Sequence, residues 1–201
     1  SGYLDMDVKR LGVDLMTING SKIYGPKGTG ALYVRRGLRL RPLIYGGGQE
    51  FKMRSGTENI AGIVGLATAF KIAQEKKEVE VARVTLLRDE LIKGILNNIP
   101  KTVLNGHATK RLPNNVNISI SGISGEAMLL YLDEHGICAS TGSACDSQTS
   151  DPSHVILALG RTLDFARSSV RFTLGRSTTE ADIDYVLGVL PNIVQTLRKI
   201  S

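Results

Sequence analysis

The stretch Asn114–Ser140, NNVNISISGISGEAMLLYLDEHGICAS, changes character halfway. Asn114–Ile120 reads as a strand, with β-branched residues and polar neighbours in turn. Gly125–Gly136 reads as a helix with Gly136 at its C-terminal end, where a left-handed residue stops the turn. Ile137–Ser140 reads as a short returning strand, with Cys138 beside Ile137 as a core residue. Strand, helix and strand in 27 residues point to α/β packing.

The reading extends both ways. Downstream, DPSHVILALG (Asp151–Gly160) is a helix with Pro152 in its first turn, and SSVRFTLG (Ser168–Gly175) is a strand. A terminal helix follows, capped by Thr178 or Thr179, with acids in its first turn and Pro191 set to kink or split it. Upstream, TVLNG is a strand. A long helix starts near Thr57–Asn59 and reaches about Ile99, with a break expected in the charged stretch Gln74–Glu80 and Pro100 as its stop. Val13–Asn19 and Gly28–Arg36 are strands around the loop GSKIYGPKG.

The chain has 201 residues, 42% of them hydrophobic and 22% charged, with 25 basic and 19 acidic side chains for a net charge of +6. It can bury a core. The positive excess is scattered and lacks the aromatic or groove-reading partners of a nucleic-acid face. Cys138 and Cys145 form no disulfide framework, and no Cys/His set has metal-ligand spacing. No apolar run is long enough to cross a bilayer, and Ser1 opens no signal peptide, so a cytoplasmic location is expected. The abrupt beginning reads as the middle of a domain.

Three residues ask for a chemical reason. Lys22 follows an apolar strand among small residues. It is either a surface lysine beside a turn or an amine partly desolvated for attack on a carbonyl. Cys145 stands in the polar stretch STGSACDSQTSDPS. It is either an incidental exposed cysteine or a thiol free to reach a substrate, the second being favoured because soluble proteins tend to avoid exposed free thiols. Arg171 interrupts an apolar strand and needs an anion, either an internal Asp or Glu or a ligand carboxylate. Arg54 and Thr57 at a helix start form a candidate phosphate site, with plain capping by Thr57 as the alternative. No histidine has triad or metal spacing.

SKIYGPKGTGALYVRR, GGGQEFKMRSGTENI, LPNNVNIS, STGSACDSQTSDPSHVILALG and SSVRFTLGRSTTEADIDYVL, in this order and spacing, resemble the pyridoxal-phosphate-dependent cysteine desulfurases of the iron–sulfur-cluster and nitrogenase type, the group with a long cysteine loop. The resemblance implies fold type I of the pyridoxal-phosphate enzymes. Residues 1–72 would be the C-terminal part of the large cofactor-binding domain. Residues 73–201 would be the small α/β domain with the linking helix and the cysteine loop. It implies pyridoxal 5'-phosphate held through Lys22, which would also move the substrate's α-proton. Asn19, Ser21 and Thr57 would contact the phosphate, Thr57 from a neighbouring subunit, so a homodimer is expected. Arg171 would take the carboxylate of L-cysteine. Cys145 would take the sulfur as a persulfide, leaving L-alanine, and pass it to an iron–sulfur scaffold or another acceptor. No metal is implied. Ser21 stands where the family often has His, and Asn19 where Ser or Thr is common. The family's N-terminal cofactor contacts lie before the matching part, so little activity is expected of this chain alone. A selenocysteine lyase or aminotransferase-like enzyme, or a non-catalytic scaffold-docking module, are the rival readings.

Overall fold

A computed structural model describes residues 1–142 and 151–200. In chain order the elements are α1 (Val8–Leu11), β1 (Leu15–Asn19), β2 (Gly30–Val34), α2 (Ile60–Asn98), β3 (Thr102–Leu104), β4 (Asn115–Ile120), α3 (Gly125–Glu134), α4 (His154–Ala158), α5 (Leu163–Arg167), β5 (Ser169–Thr173) and α6 (Glu180–Ile200). The chain divides into two compact units, Ser1–Val79 and Glu80–Ser201. No described helix is long and apolar enough to cross a membrane.

In the first unit, β1 and β2 pair antiparallel, from Leu15 opposite Val34 to Asn19 opposite Gly30. Ile23, Leu66 and Ala73 form its small buried cluster, with Ile18, Ala69 and Phe70 against it. Leu15 and Leu32 of the hairpin are exposed.

In the second unit, β3, β4 and β5 form an antiparallel sheet in that order. Alternation assigns its two faces. Val116, Ile118, Ile120, Val170 and Phe172 are buried and join one apolar cluster. Val84, Leu87, Leu91 and Ile95 join it from the second half of α2, at the spacing that keeps one helical stripe inward. Met128 and Leu132 of α3 and Leu190, Val194 and Leu197 of α6 complete it. The other face of the sheet carries Asn117, Ser119, Ser169 and Arg171.

Several sequence expectations are corrected. α2 runs unbroken for 39 residues through the charged stretch. Glu, Lys, Gln and Ala are strong helix formers, and charge alone stops no helix. The cap of α2 is Asn59, whose Oδ1 accepts from the Gly62 N–H at 3.0 Å. Thr57 lies three residues before the helix, exposed and outside the cap. Pro191 sits inside α6 without splitting it. Pro152 precedes α4, whose cap position is Ser153. Ile137–Ser140 is no strand: only Ser140 bridges, to Arg171. Cys138 is exposed, not in the core, while Ile137 is buried. The short helices α1 and α5 carry no clear signal in the sequence.

Candidate active site

Lys22 stands on a ten-residue loop whose ends the hairpin clamps. The Gly20 N–H donates to the Thr29 carbonyl at 2.9 Å, continuing the β1–β2 ladder. Gly20–Ile23 then make one tight 3-10 turn, closed by Tyr24 at φ 62°. Gly20 is required there, because a Cβ would lie 2.5 Å from Thr29 Oγ1 and 3.0 Å from the Pro26 carbonyl oxygen. Asn19 caps the turn. Its Oδ1 accepts from the Ser21 N–H at 3.0 Å and from Ser21 Oγ at 2.9 Å. With the oxygen of this exposed residue committed twice, its Nδ2 has no described acceptor.

The first half of α2 supports this loop. A Cβ on Gly65 would fall 2.5 Å from Pro26 Cγ, and one on Gly62 would fall 2.6 Å from Thr29 Cγ2. Ala69 packs against Gly25, whose own Cβ would lie 3.1 Å from that of Ala69. Gly62, Gly65 and Ala69 therefore make a flat helical strip on which the loop rests. The signal was in the sequence, as small residues at helical spacing in GIVGLATA, but nothing marked what would lie on it. Lys22 itself is exposed, so the partial burial considered for its amine is absent from the described residues. Its amine has no hydrogen bond or ion pair among them.

Arg171 sits in the second unit at the centre of β5, half-buried between Val170 and Phe172, which point into the core. Its register partner in β4 is Asn117, and on the other side its backbone exchanges two hydrogen bonds with Ser140, at 2.7 and 3.1 Å. One guanidinium nitrogen donates to the Gly142 carbonyl at 3.3 Å. Among the described residues no Asp or Glu pairs with it. The internal salt bridge that the sequence also allows is thus not found there.

Behind Asn117 lies a polar network that the sequence reading missed. The buried Asn105 donates from Nδ2 to Asn117 Oδ1 and to Ser119 Oγ, each at 2.8 Å. Arg161 donates from Nε to Asn105 Oδ1 at 3.2 Å and from a terminal nitrogen to the Leu104 carbonyl at 2.8 Å. Cys145 lies outside the described residues.

The residues thus fall into two groups, each described within its own unit. Asn19, Ser21 and Lys22 share one turn, with Thr57 further along the same unit. Arg171 belongs to the polar sheet face of the other.

Comparison with known proteins adds the following. Residues 2–186 match the family model described as Aminotransferase class-V. The chain is 50% identical over 200 residues to the cysteine desulfurase IscS of Methanosarcina thermophila, a match covering 100% of this chain and 49% of that protein. It is 50% identical over 202 residues to the cysteine desulfurase IscS of Clostridium botulinum strain Hall, covering 100% and 51%. Among solved structures, a NifS-like protein from Rickettsia africae is similar with a TM-score of 0.87 at 32% identity, covering 96% of this chain and 51% of that one. The chain spans about half the length of the curated relatives it matches.

Proposed function

Since the chain belongs to the class-V aminotransferase family, we propose that it forms part of a cysteine desulfurase that converts L-cysteine to L-alanine and retains the sulfur as a persulfide. The observation that carries this reading is Arg171: a half-buried guanidinium between core residues of β5, with no carboxylate partner among the described residues. A bidentate carboxylate is the natural complement of such a group, and an amino-acid substrate supplies one. The names of the relatives at 50% identity support the same reaction.

The residues present fit pyridoxal 5'-phosphate. An amine without a bond among the described residues stands three positions from an amide whose Nδ2 has no described acceptor, one for an aldehyde and one for a phosphate oxygen. When bound, that cofactor supplies an electron sink beside the substrate's α-carbon. Lys22 would hold the aldehyde and could then move the proton at that carbon. Asn19 donates to the phosphate from Nδ2, and Ser21 serves as the group that orients Asn19, since its own hydroxyl proton is already given to Oδ1. Thr57 contacts the phosphate of a second copy in a homodimer. Arg171 orients the substrate by its carboxylate. Cys145 would attack as thiolate: its Sγ–S bond forms as the substrate's Cβ–S bond breaks, and the electron pair left on Cβ takes a proton to become the methyl group of alanine. The persulfide then passes to an iron–sulfur scaffold or another acceptor protein.

The test uses the cofactor-loaded whole protein. L-Cysteine should yield alanine and a persulfide that maps to Cys145, and Cys145→Ser should abolish sulfide release while leaving the cofactor bound. Borohydride reduction followed by peptide mapping should label Lys22. Sulfide release surviving in Cys145→Ser, or a label on another lysine, overturns the assignment.

A further inference from the structure

The polar face of the β3–β4–β5 sheet carries one row of side chains running straight across the strands: Asn105 just beyond β3, Asn117 in β4, Arg171 in β5 and Ser140 bridged to it. The hydrogen bonds along this row have a direction. Arg161 can only donate, so Nε fixes the atom it meets on Asn105 as oxygen. Asn105 must then turn its Nδ2 toward β4, where it meets Asn117, and the atom it meets there is fixed as oxygen in turn. The remaining end of Asn117 is therefore Nδ2. The register partner of Asn117 on the side of β4 away from β3 is Arg171. No described acceptor takes the Nδ2 protons.

Directly opposed side chains on one sheet face stand close enough to share a ligand. Here the two neighbours are a guanidinium and an amide N–H pair, both donors, with no described acceptor assigned between them. Such a pair matches an anion with two oxygens. We propose that Asn117 is a second donor to the substrate's carboxylate beside Arg171, and that Arg161 and Asn105 are positioning residues that hold its amide nitrogen-outward. This rests on the reading of Arg171 as the carboxylate-binding residue.

The experiment compares two probes on the holoenzyme by calorimetric titration. L-Alanine keeps the amine and the carboxylate. Cysteamine keeps the amine and the thiol but has no carboxylate. Asn117→Ala should weaken L-alanine about tenfold, the loss of one hydrogen bond to a charged group, and leave cysteamine within about twofold. Asn105→Asp still accepts from Arg161 but can no longer donate, so Asn117 turns its Nδ2 back toward position 105 and offers oxygen to the carboxylate. L-Alanine should then fall at least as far as with Asn117→Ala, with cysteamine again unchanged. Arg161→Leu should give a smaller loss of the same selectivity, about threefold, restored by Arg161→Lys.

Loss of both probes in equal measure, or L-alanine binding within about twofold of wild type in Asn117→Ala, overturns the proposal. Should the buried Asn105→Asp not fold, the half-buried Asn117→Ala decides alone. Arg171→Ala separates the two claims. If it leaves L-alanine binding intact, the reading of Arg171 falls and this proposal with it. If it weakens L-alanine while Asn117→Ala does not, only the amide donor falls.

Discussion

Gly125 opens α3 at a place with no room, and replacing it tests how the site's sheet face is held. A Cβ there would lie 2.8 Å from the Arg167 carbonyl oxygen, 3.0 Å from that of Ser169 and 2.9 Å from Thr141 Cγ2. Two of these neighbours are backbone, one of them in β5, so α3 must withdraw by a few tenths of an ångström. Overpacking of this kind costs about 1–3 kcal/mol. The lost freedom of the unfolded chain returns about 0.4–1 kcal/mol, leaving Gly125→Ala destabilised by roughly 0.5–2 kcal/mol. Gly188 is the control: it lies exposed within α6, with nothing within 4 Å of its Cβ position. There the same substitution gains about 0.8–1 kcal/mol of helix propensity. Urea unfolding of the whole protein, followed by far-ultraviolet circular dichroism, should move the midpoints in opposite directions at an unchanged slope. The displaced Thr141 lies between Ser140 and Gly142, both bonded to Arg171, so Gly125→Ala should also raise KM for L-cysteine several-fold. Equal stability of Gly125→Ala and wild type, or shifts of the same sign in both variants, would refute the reasoning.

Other outcomes follow from single contacts. Asp182 accepts from the Thr179 N–H at 2.8 Å and from its hydroxyl at 2.9 Å, and these bonds hold its carboxyl below the ordinary value. The cap's contribution is therefore full above the ordinary carboxylate range and is lost as pH falls through the lowered folded value. Thermal melts should show a shallower acid limb in Asp182→Asn than in wild type. Gly65→Ala drives a methyl to 2.5 Å from Pro26 Cγ under the Lys22 loop, so borohydride labelling of Lys22 should slow while Cys145 still reacts with a thiol reagent. Ile118→Ala, at the centre of the second unit's core, should cost about 2–5 kcal/mol by chemical denaturation.

The mixed α/β character was legible because the hydrophobic period changes cleanly, as between Asn115–Ile120 and Gly125–Glu134. The errors cluster where a residue's local preference is weak or serves another purpose. Gln74–Glu80 looked like an interruption because it is charged, yet its residues favour helix, and α2 passes through it. Cys138 looked like core because cysteine is often buried, but beside buried Ile137 the next position faces outward. Pro191 lacks one backbone donor, and the apolar stripe Ile183, Leu190, Ile193, Val194 and Leu197 outweighs that loss in keeping α6 whole.

The site was legible as residue types and illegible as orientations. The sequence marks Arg171 as a charge inside an apolar strand, and Lys22 as an amine on a glycine-bound turn. It cannot say which end of an asparagine faces a ligand, because nitrogen and oxygen occupy the same shape and only the partner tells them apart. Two asparagines here have that choice made for them. Ser21 takes the oxygen of Asn19 with both its N–H and its hydroxyl. Arg161, acting through Asn105, takes the oxygen of Asn117 from more than 40 residues away in sequence. In each case the amide nitrogen is the end with no described acceptor, and a cationic residue that the sequence singles out lies three positions along the chain or directly opposite in register. A cation with a donor locked next to it favours anions over water, which can turn to suit either end of an amide. On the function proposed above, the two settings would take the same kind of ligand group, a phosphate at the first and a carboxylate at the second. An aspartate at either 19 or 117 would preserve the shape and reverse the preference.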